Sequence, residues 1–246
     1  MEIRFDKYNT RGSGYHWQQI SKSITDRNIF VVARYNMVLN QIGNCKGEKI
    51  LDIGCGDGAL TYLLACRTKA QVIGIDISNE AISFARKKTG HIRNIEFLTA
   101  SAYHLPFDNK SIDYVISSDV IEHLVKPQIL LAEIMRVFNE AGKVIITTPL
   151  RFTETPLDKM HVKEFFESDF IKLLTDSFSD NNRISIIKSH PVVFMELQNR
   201  HFLIKYLLNL LNLLFKFNPF IRTKGWRYYA MQTAVIEGKK YKPNLI

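Results

Sequence analysis

Apolar residues along this 246-residue chain fall into short runs separated by stretches of helical spacing. Runs bounded by glycine and polar residues read as buried strands, and apolar positions recurring every three or four residues read as helices. The strands expected on this basis are 49–53, 71–75, 94–98, 112–117, 143–148, 183–189 and 228–237. Helical spacing covers 59–66, then 79–88 behind Ser78 as N-cap, 126–138 closed by Gly142, and 163–176. Ahead of the first strand, Ile20, Ile24, Phe30, Val31, Met37, Val38 and Ile42 predict one helix over 17–42, ended by Gly43 and Gly47. Strand alternating with helix predicts an α/β fold: a Rossmann-like, doubly wound, mostly parallel sheet.

One segment departs from this alternation. Residues 191–227 intervene before the last strand and contain the most apolar part of the chain, HFLIKYLLNLLNLLFKF. In it His201, Lys205, Asn209, Asn212 and Lys216 recur at steps of four, four, three and four, a narrow polar stripe on one helix. The wide leucine and phenylalanine face must be covered. A membrane span needs about 20 uninterrupted apolar residues, and two lysines break this run. Three roles stay open: the wall of an apolar pocket, a dimer seam, or a helix lying on an anionic membrane beside Arg200, Arg222, Lys224 and Arg227. Burial or an interface is the plainer expectation.

The stretch 49–58, KILDIGCGDG, organises the rest. An apolar strand runs into Gly54, Gly56 and Gly58, and a helix follows. Glycine there permits positive φ and close approach of a ligand to the backbone. The spacing is G-x-G-x-G, not the G-x-G-x-x-G of dinucleotide sites. The next strand ends in Asp76, where a carboxylate can accept both hydroxyls of a ribose. The first motif, D-I-G-C-G-D-G, and the second, V-I-G-I-D, resemble those of class I S-adenosylmethionine-dependent methyltransferases. ASAYHLPF at 100–107 is similar to that family's A-D-A-x-x-L-P-F, with Ser101 at the acidic position, and DYVISS at 113–118 is similar to its fourth motif. The resemblance implies seven strands with the last antiparallel; the family usually joins its last two strands closely, so the helical insertion over 191–227 is a departure particular to this chain. The resemblance also implies S-adenosylmethionine held by Asp52, Gly54, Cys55, Gly56, Gly58, Asp76, Ile77, Ser101, Ala102 and Ser117.

Asp119, Glu122 and His123 follow at i, i+3 and i+4, with His161 further on. On one helical turn the first three would point the same way. D-x-x-E-H with a distant histidine resembles the ubiquinone-biosynthesis O-methyltransferases and the small-RNA 3′-terminal 2′-O-methyltransferases. In both the resemblance implies a divalent metal, here Mg²⁺ or Mn²⁺, on Asp119, Glu122, His123 and His161. Without a metal, His123 or His161 stands as a catalytic base and Glu122 as an acid at a helix start.

Composition narrows the partners. Net charge is +9, which favours an anionic partner. No dense lysine–arginine tract appears and no aromatic residues interleave the basic ones, which disfavours single-stranded nucleic acid. The three cysteines, Cys45, Cys55 and Cys66, have no C-x-x-C spacing and point to a reduced compartment. The polar start of the chain has no secretory apolar core, so the cytoplasm is expected, with peripheral membrane contact open. The expected division is an arm and helix over 1–42, a donor-binding domain over 43–190 and 228–246, and the insertion over 191–227. The aromatic cluster Tyr15, His16 and Trp17 either closes over the donor or staples the first helix. The expected activity is O-methylation of a small or lipid-like acceptor such as a quinone, phenol or sugar. An RNA 2′-O-methyltransferase is the alternative enzyme. A non-catalytic S-adenosylmethionine-binding interaction protein is the alternative of another class, and a homodimer remains open.

Overall fold

In the computed structural model, which describes residues 12–43, 45–154 and 158–239, the apolar runs pair into one seven-stranded sheet. Its strands are β1 (Lys46–Ile53), β2 (Lys69–Asp76), β3 (Ile95–Thr99), β4 (Ile112–Ser118), β5 (Phe138–Pro149), β6 (Arg183–Pro191) and β7 (Tyr229–Glu237), in the order β3-β2-β1-β4-β5-β7-β6. All neighbours are parallel except β7, which runs antiparallel to both β5 and β6. The strands are apolar throughout because both faces are covered. Leu51, Ile53, Ile73, Ile75, Val115 and Val144 bury on one side, and Ile50, Val72, Tyr114, Ile116 and Ile145 on the other. The chain winds outward from β1 to β3, then returns to start β4 on the other side of β1. That reversal opens a crevice at the carboxyl ends of β1 and β4.

The helices between strands are α3 (Ala59–Arg67), α4 (Asn79–Thr89), α5 (Pro127–Val137) and α6 (Glu167–Ser177). Ser78 caps α4, its hydroxyl accepting from Ala81 N at 3.2 Å. Gly142 does not close α5. The helix ends at Val137 and β5 begins at once, with Gly142 inside the strand, where a Cβ would lie 1.7 Å from the Asp113 carbonyl oxygen.

The single helix expected over 17–42 is two. α1 (Tyr15–Gln19) stops, an irregular turn follows, and α2 (Ile29–Ile42) restarts with the Asn28 side chain accepting from Phe30 N. The cause is the polar run Ser21 to Asp26, whose side chains bond locally, as Ser23 Oγ does with Asp26 N, and so compete with helical bonding. The insertion is also two helices, α7 (Val192–Arg200) and α8 (Phe202–Phe215), broken at the extended residue His201. Its polar stripe turns inward. Asn209 donates to Ile24 O and Arg27 O, both at 2.8 Å, and Arg27 donates to Asn212 Oδ1. Ile204, Leu208 and Leu211 pack on Ile29, Ala33 and Phe220. The rest of the leucine face, expected to be covered, is exposed in this chain. Because β6 runs antiparallel to β7, as β5 does, it is parallel to β5, and α7 leaves the sheet at its carboxyl edge.

His190 joins the insertion to α2. It is fully buried at φ 64, donates from Nε2 to Phe30 O at 2.9 Å, and accepts at Nδ1 from the Ser189 hydroxyl at 2.8 Å. Burial pushes it down to about 3, so the folded imidazole stays neutral while the unfolded one protonates near its ordinary 6.5. Its contribution is present above that ordinary value and is lost as pH falls toward the folded value. Between pH 7 and pH 5 the loss is about 2 kcal/mol. Asp52, which burial pushes up to about 7, acts oppositely: the folded state holds its proton, so stability falls as pH rises through the same range. The test is therefore the difference in urea unfolding between wild type and His190→Asn, asparagine being tolerant of positive φ. The variant should lack about 2 kcal/mol of the pH 5-to-7 gain; identical pH slopes would refute the assignment.

Candidate active site

Register sets the first half of the site. Ile53 pairs with Ile75 and Ser117, so Gly54, Asp76 and Ser118 come level at the carboxyl edge. Gly54, Gly56 and Gly58 all have positive φ, at 69°, 55° and 80°. At Gly54 the space is also closed, since a Cβ would meet Val120 at 2.4 Å. Asp76, at the end of β2, fastens the loop. Its Oδ2 accepts from Gly56 N at 2.9 Å and its Oδ1 from Ser78 N at 2.8 Å. Beside it Ile77 is 69% exposed, an apolar side chain open at the sheet edge.

The other residues of the first motif lie deeper. Asp52 is buried and accepts from the Thr61 hydroxyl at 2.7 Å, so it underpins the loop from below. Cys55 is buried, its amide donating to Ile75 O at 2.9 Å, and burial holds its thiol well above the usual range, hence protonated. Ser101 Oγ accepts from Tyr103 N at 3.1 Å and shapes the 101–104 turn that carries Ala102. Ser117 Oγ is buried with no hydrogen-bond partner.

Asp57 is a part of the loop that the motif reading did not single out. It is wholly buried beneath α1. Its Oδ2 accepts from His16 N at 2.8 Å, its Oδ1 lies 3.2 Å from His16 Nδ1, and its carbonyl accepts from Trp17 Nε1 at 2.7 Å. Trp17 also packs on Tyr62 of α3. The aromatic cluster thus clamps the glycine loop, and Trp17 also packs against the apolar cluster that holds Val31, Tyr35 and Leu39 of α2. Residues 1–11 of the expected arm lie outside the described residues.

The second cluster forms where β4 ends. Asp119 does not share a helical turn with Glu122 and His123. It has φ 55, precedes a short 3₁₀ turn at Ile121–His123, and pairs with Arg34 of α2. The remaining three converge: Glu122, His123 and His161 each offer a ligand atom, all within 4.8 Å of one another. Backbone bonds cause this. The Glu122 carbonyl accepts from Val162 N at 2.8 Å and Lys163 N at 3.1 Å, drawing the distant strand of chain alongside. His123 Nδ1 donates to Met160 O at 3.0 Å, which puts its lone pair on Nε2. His161 Nδ1 lies 2.6 Å from the buried carboxylate of Glu164, an arrangement that orients metal-bound or basic imidazoles. Glu122 is buried, accepts at Oε2 from the Thr148 hydroxyl at 3.1 Å, and has no partner at Oε1. Burial, with Asp119 adding, raises it well above the ordinary carboxylate range.

A glycine loop fastened by a carboxylate at the end of β2, on a sheet of this order, defines a class I S-adenosylmethionine-dependent methyltransferase domain. Residues 44–210 match the family described as a methyltransferase domain, and the chain belongs to that family. A probable S-adenosylmethionine-dependent methyltransferase of Mycobacterium tuberculosis is 29% identical over 150 residues, covering 58% of this chain and 53% of that protein. A demethylmenaquinone methyltransferase of Staphylococcus epidermidis is 29% identical over 164 residues, covering 60% and 68%. The chain thus spans about half the length of the mycobacterial relative. Haemonchus contortus phosphoethanolamine N-methyltransferase 2, solved with S-adenosyl-L-methionine, has the same fold at a TM-score of 0.66 and 19% identity, covering 96% of this chain and 60% of that one.

Proposed function

We propose that this protein transfers the methyl group of S-adenosylmethionine to a hydroxyl oxygen of a small or lipid-like acceptor, with a divalent cation held by Glu122, His123 and His161. The observation that carries the reading is the convergence of those three side chains just beyond the donor edge. The resemblance to ubiquinone-biosynthesis O-methyltransferases and the demethylmenaquinone relative support a quinone, phenol or similar acceptor.

The donor set fits a metal. It combines two imidazoles, oriented through Met160 O and Glu164, with a buried carboxylate oxygen that lacks a partner. Two nitrogen ligands favour Mn²⁺ over Mg²⁺, which prefers an all-oxygen shell. When bound, the ion would grip the acceptor oxygen and ease loss of its proton. The residues of this chain do the rest. Asp76 holds the donor ribose, Ile77 offers an apolar contact to the adenine, and the loop amides approach the donor. The acceptor oxygen attacks the methyl carbon as the carbon–sulfur bond breaks, S-adenosylhomocysteine leaves, and the proton passes to solvent water, both imidazoles being taken up in holding the cation. Positioning and help with proton loss are the two contributions asked of the protein.

The test is methyl transfer from labelled donor to lipid, RNA and soluble fractions of a cell extract, with and without chelator. Turnover should fall at least tenfold in EDTA and return with Mn²⁺ more fully than with Mg²⁺. His161→Ala should cost roughly 10²-fold or more, since losing a ligand costs at least as much as losing the partner that orients it. Full activity in excess EDTA would remove the metal and leave an imidazole as base. Label entering only RNA would replace the acceptor assignment with the RNA 2′-O-methyltransferase reading.

A further inference from the structure

We propose that the outward face of α7, α8 and the segment after them docks the protein on an anionic lipid surface. The inference does not depend on the acceptor and would hold for an enzyme with a water-soluble one.

The starting point is the inversion of α8. Its asparagines face the protein, so its outer side is apolar: Leu203, Leu207, Leu210 and Leu214 recur at steps of four, three and four on one stripe. Leu203 is 65% exposed, Leu207 54% and Leu214 64%, and Phe202 and Phe215 extend the stripe at its two ends with 68% and 71%. After the helix Ile221, Trp226 and Tyr228 are exposed as well, Trp226 packing edge-on against Phe194 of α7. A row of exposed large apolar side chains on one helix face marks an interaction site.

Charge identifies the occupant. From Val192 to Tyr228 the sequence holds six cations, Arg200, Lys205, Lys216, Arg222, Lys224 and Arg227, against one acid, the exposed Glu196 of α7. None of the six pairs with an acidic side chain among the described residues, and all but Lys205 are exposed. An isologous dimer on this face would press two such cationic rims together with a single acid on each to offset six cations. An anionic bilayer satisfies both features, with leucine and aromatic side chains entering the headgroup boundary and lysine and arginine meeting lipid phosphates. Trp226 and Tyr228 are the residue types that settle at that depth. No helix among the described residues is long and apolar enough to cross a membrane, so α8, about 21 Å long, would lie in the plane. Because α7 leaves the sheet at its carboxyl edge, docking would bring the insertion's side of the catalytic edge toward the lipid.

The experiment is co-sedimentation of the full chain with vesicles of phosphatidylcholine alone or mixed with phosphatidylglycerol, beside light scattering in the absence of lipid. The expected result is binding to the anionic vesicles at least tenfold stronger than to the neutral ones, weakened by salt. Leu207→Asp with Leu214→Asp should lower binding tenfold or more while S-adenosylhomocysteine binding is kept; both positions are exposed, so the fold should tolerate them. Arg222→Gln, Lys224→Gln and Arg227→Gln should each cost roughly fivefold. Absence of binding to anionic vesicles would overturn the proposal, as would equal binding to both vesicle types. A dimer in light scattering that the aspartate pair dissociates, without vesicle binding, would assign the face to a second copy.

Discussion

Asp76→Ala should weaken binding of S-adenosylhomocysteine at least a hundredfold in calorimetric titration. In the proposed role of Asp76, two hydrogen bonds from ribose hydroxyls to its carboxylate would be lost, each worth about 1.5–3 kcal/mol, and about 3 kcal/mol already exceeds two decades in affinity. The structure adds a second cost. The same carboxylate accepts from Gly56 N and Ser78 N, so its removal also releases the glycine loop and the start of α4. Asp76→Asn separates the two contributions. Its carbonyl oxygen can keep one backbone bond, so thermal stability should recover more than affinity. Unchanged affinity in Asp76→Ala would place the donor elsewhere, and tighter binding of a nicotinamide cofactor would refute the class of site.

The glycine loop and the carboxylate beside it were legible because their causes are local. Alternating glycines after an apolar strand need positive φ, and the structure has it at all three positions. A carboxylate that ends the neighbouring strand falls beside them by register alone. Residues whose partners come from distant chain were not legible. Nothing in the sequence says that the Glu122 carbonyl draws in Val162 and Lys163, and with them His161, or that Asp57 receives His16 and Trp17. Spacing misled at Asp119, where a left-handed residue before a 3₁₀ turn breaks the helical phase assumed for D-x-x-E-H.

Two other misreadings share one cause. Periodicity locates the faces of a helix but not which face turns inward. The leucine face was expected to be the covered one, yet it is Asn209 of the polar stripe that faces inward and bonds the carbonyls of Ile24 and Arg27. Those carbonyls need outside donors because 20–28 is not helical. Had the expected helix over 17–42 formed, they would be bonded within it and the buried stripe of α8 would have no acceptors there. The interruption before α2 and the inversion of α8 are thus one structural event, and it is what leaves the leucine stripe outside.

Arg34→Ala should lower stability by about 3 kcal/mol and reduce turnover together. The guanidinium side chain is only 10% exposed and pairs with Asp119, itself 21% exposed. Burial alone would depress Arg34, but the carboxylates of Asp119 and Glu122 outweigh it and the cation is held. Breaking a buried pair from one side costs about 3–5 kcal/mol, because the partner charge stays behind. Partial access of Asp119 to water puts this one at the low end. The effect on turnover follows from position. Asp119 precedes the turn that presents Glu122 and His123, and with Arg34 gone two neighbouring carboxylates lose their shared cation. Arg34→Met combined with Asp119→Asn distinguishes the causes, asparagine being tolerant of the positive φ at 119. Removing both charges should restore most of the stability, because no buried charge is stranded, while turnover should stay low if the pair positions the Glu122 turn. Urea unfolding and steady-state rates read these separately. If Arg34→Ala unfolds at the wild-type urea midpoint and turns over at the wild-type rate, the pair contributes nothing to either.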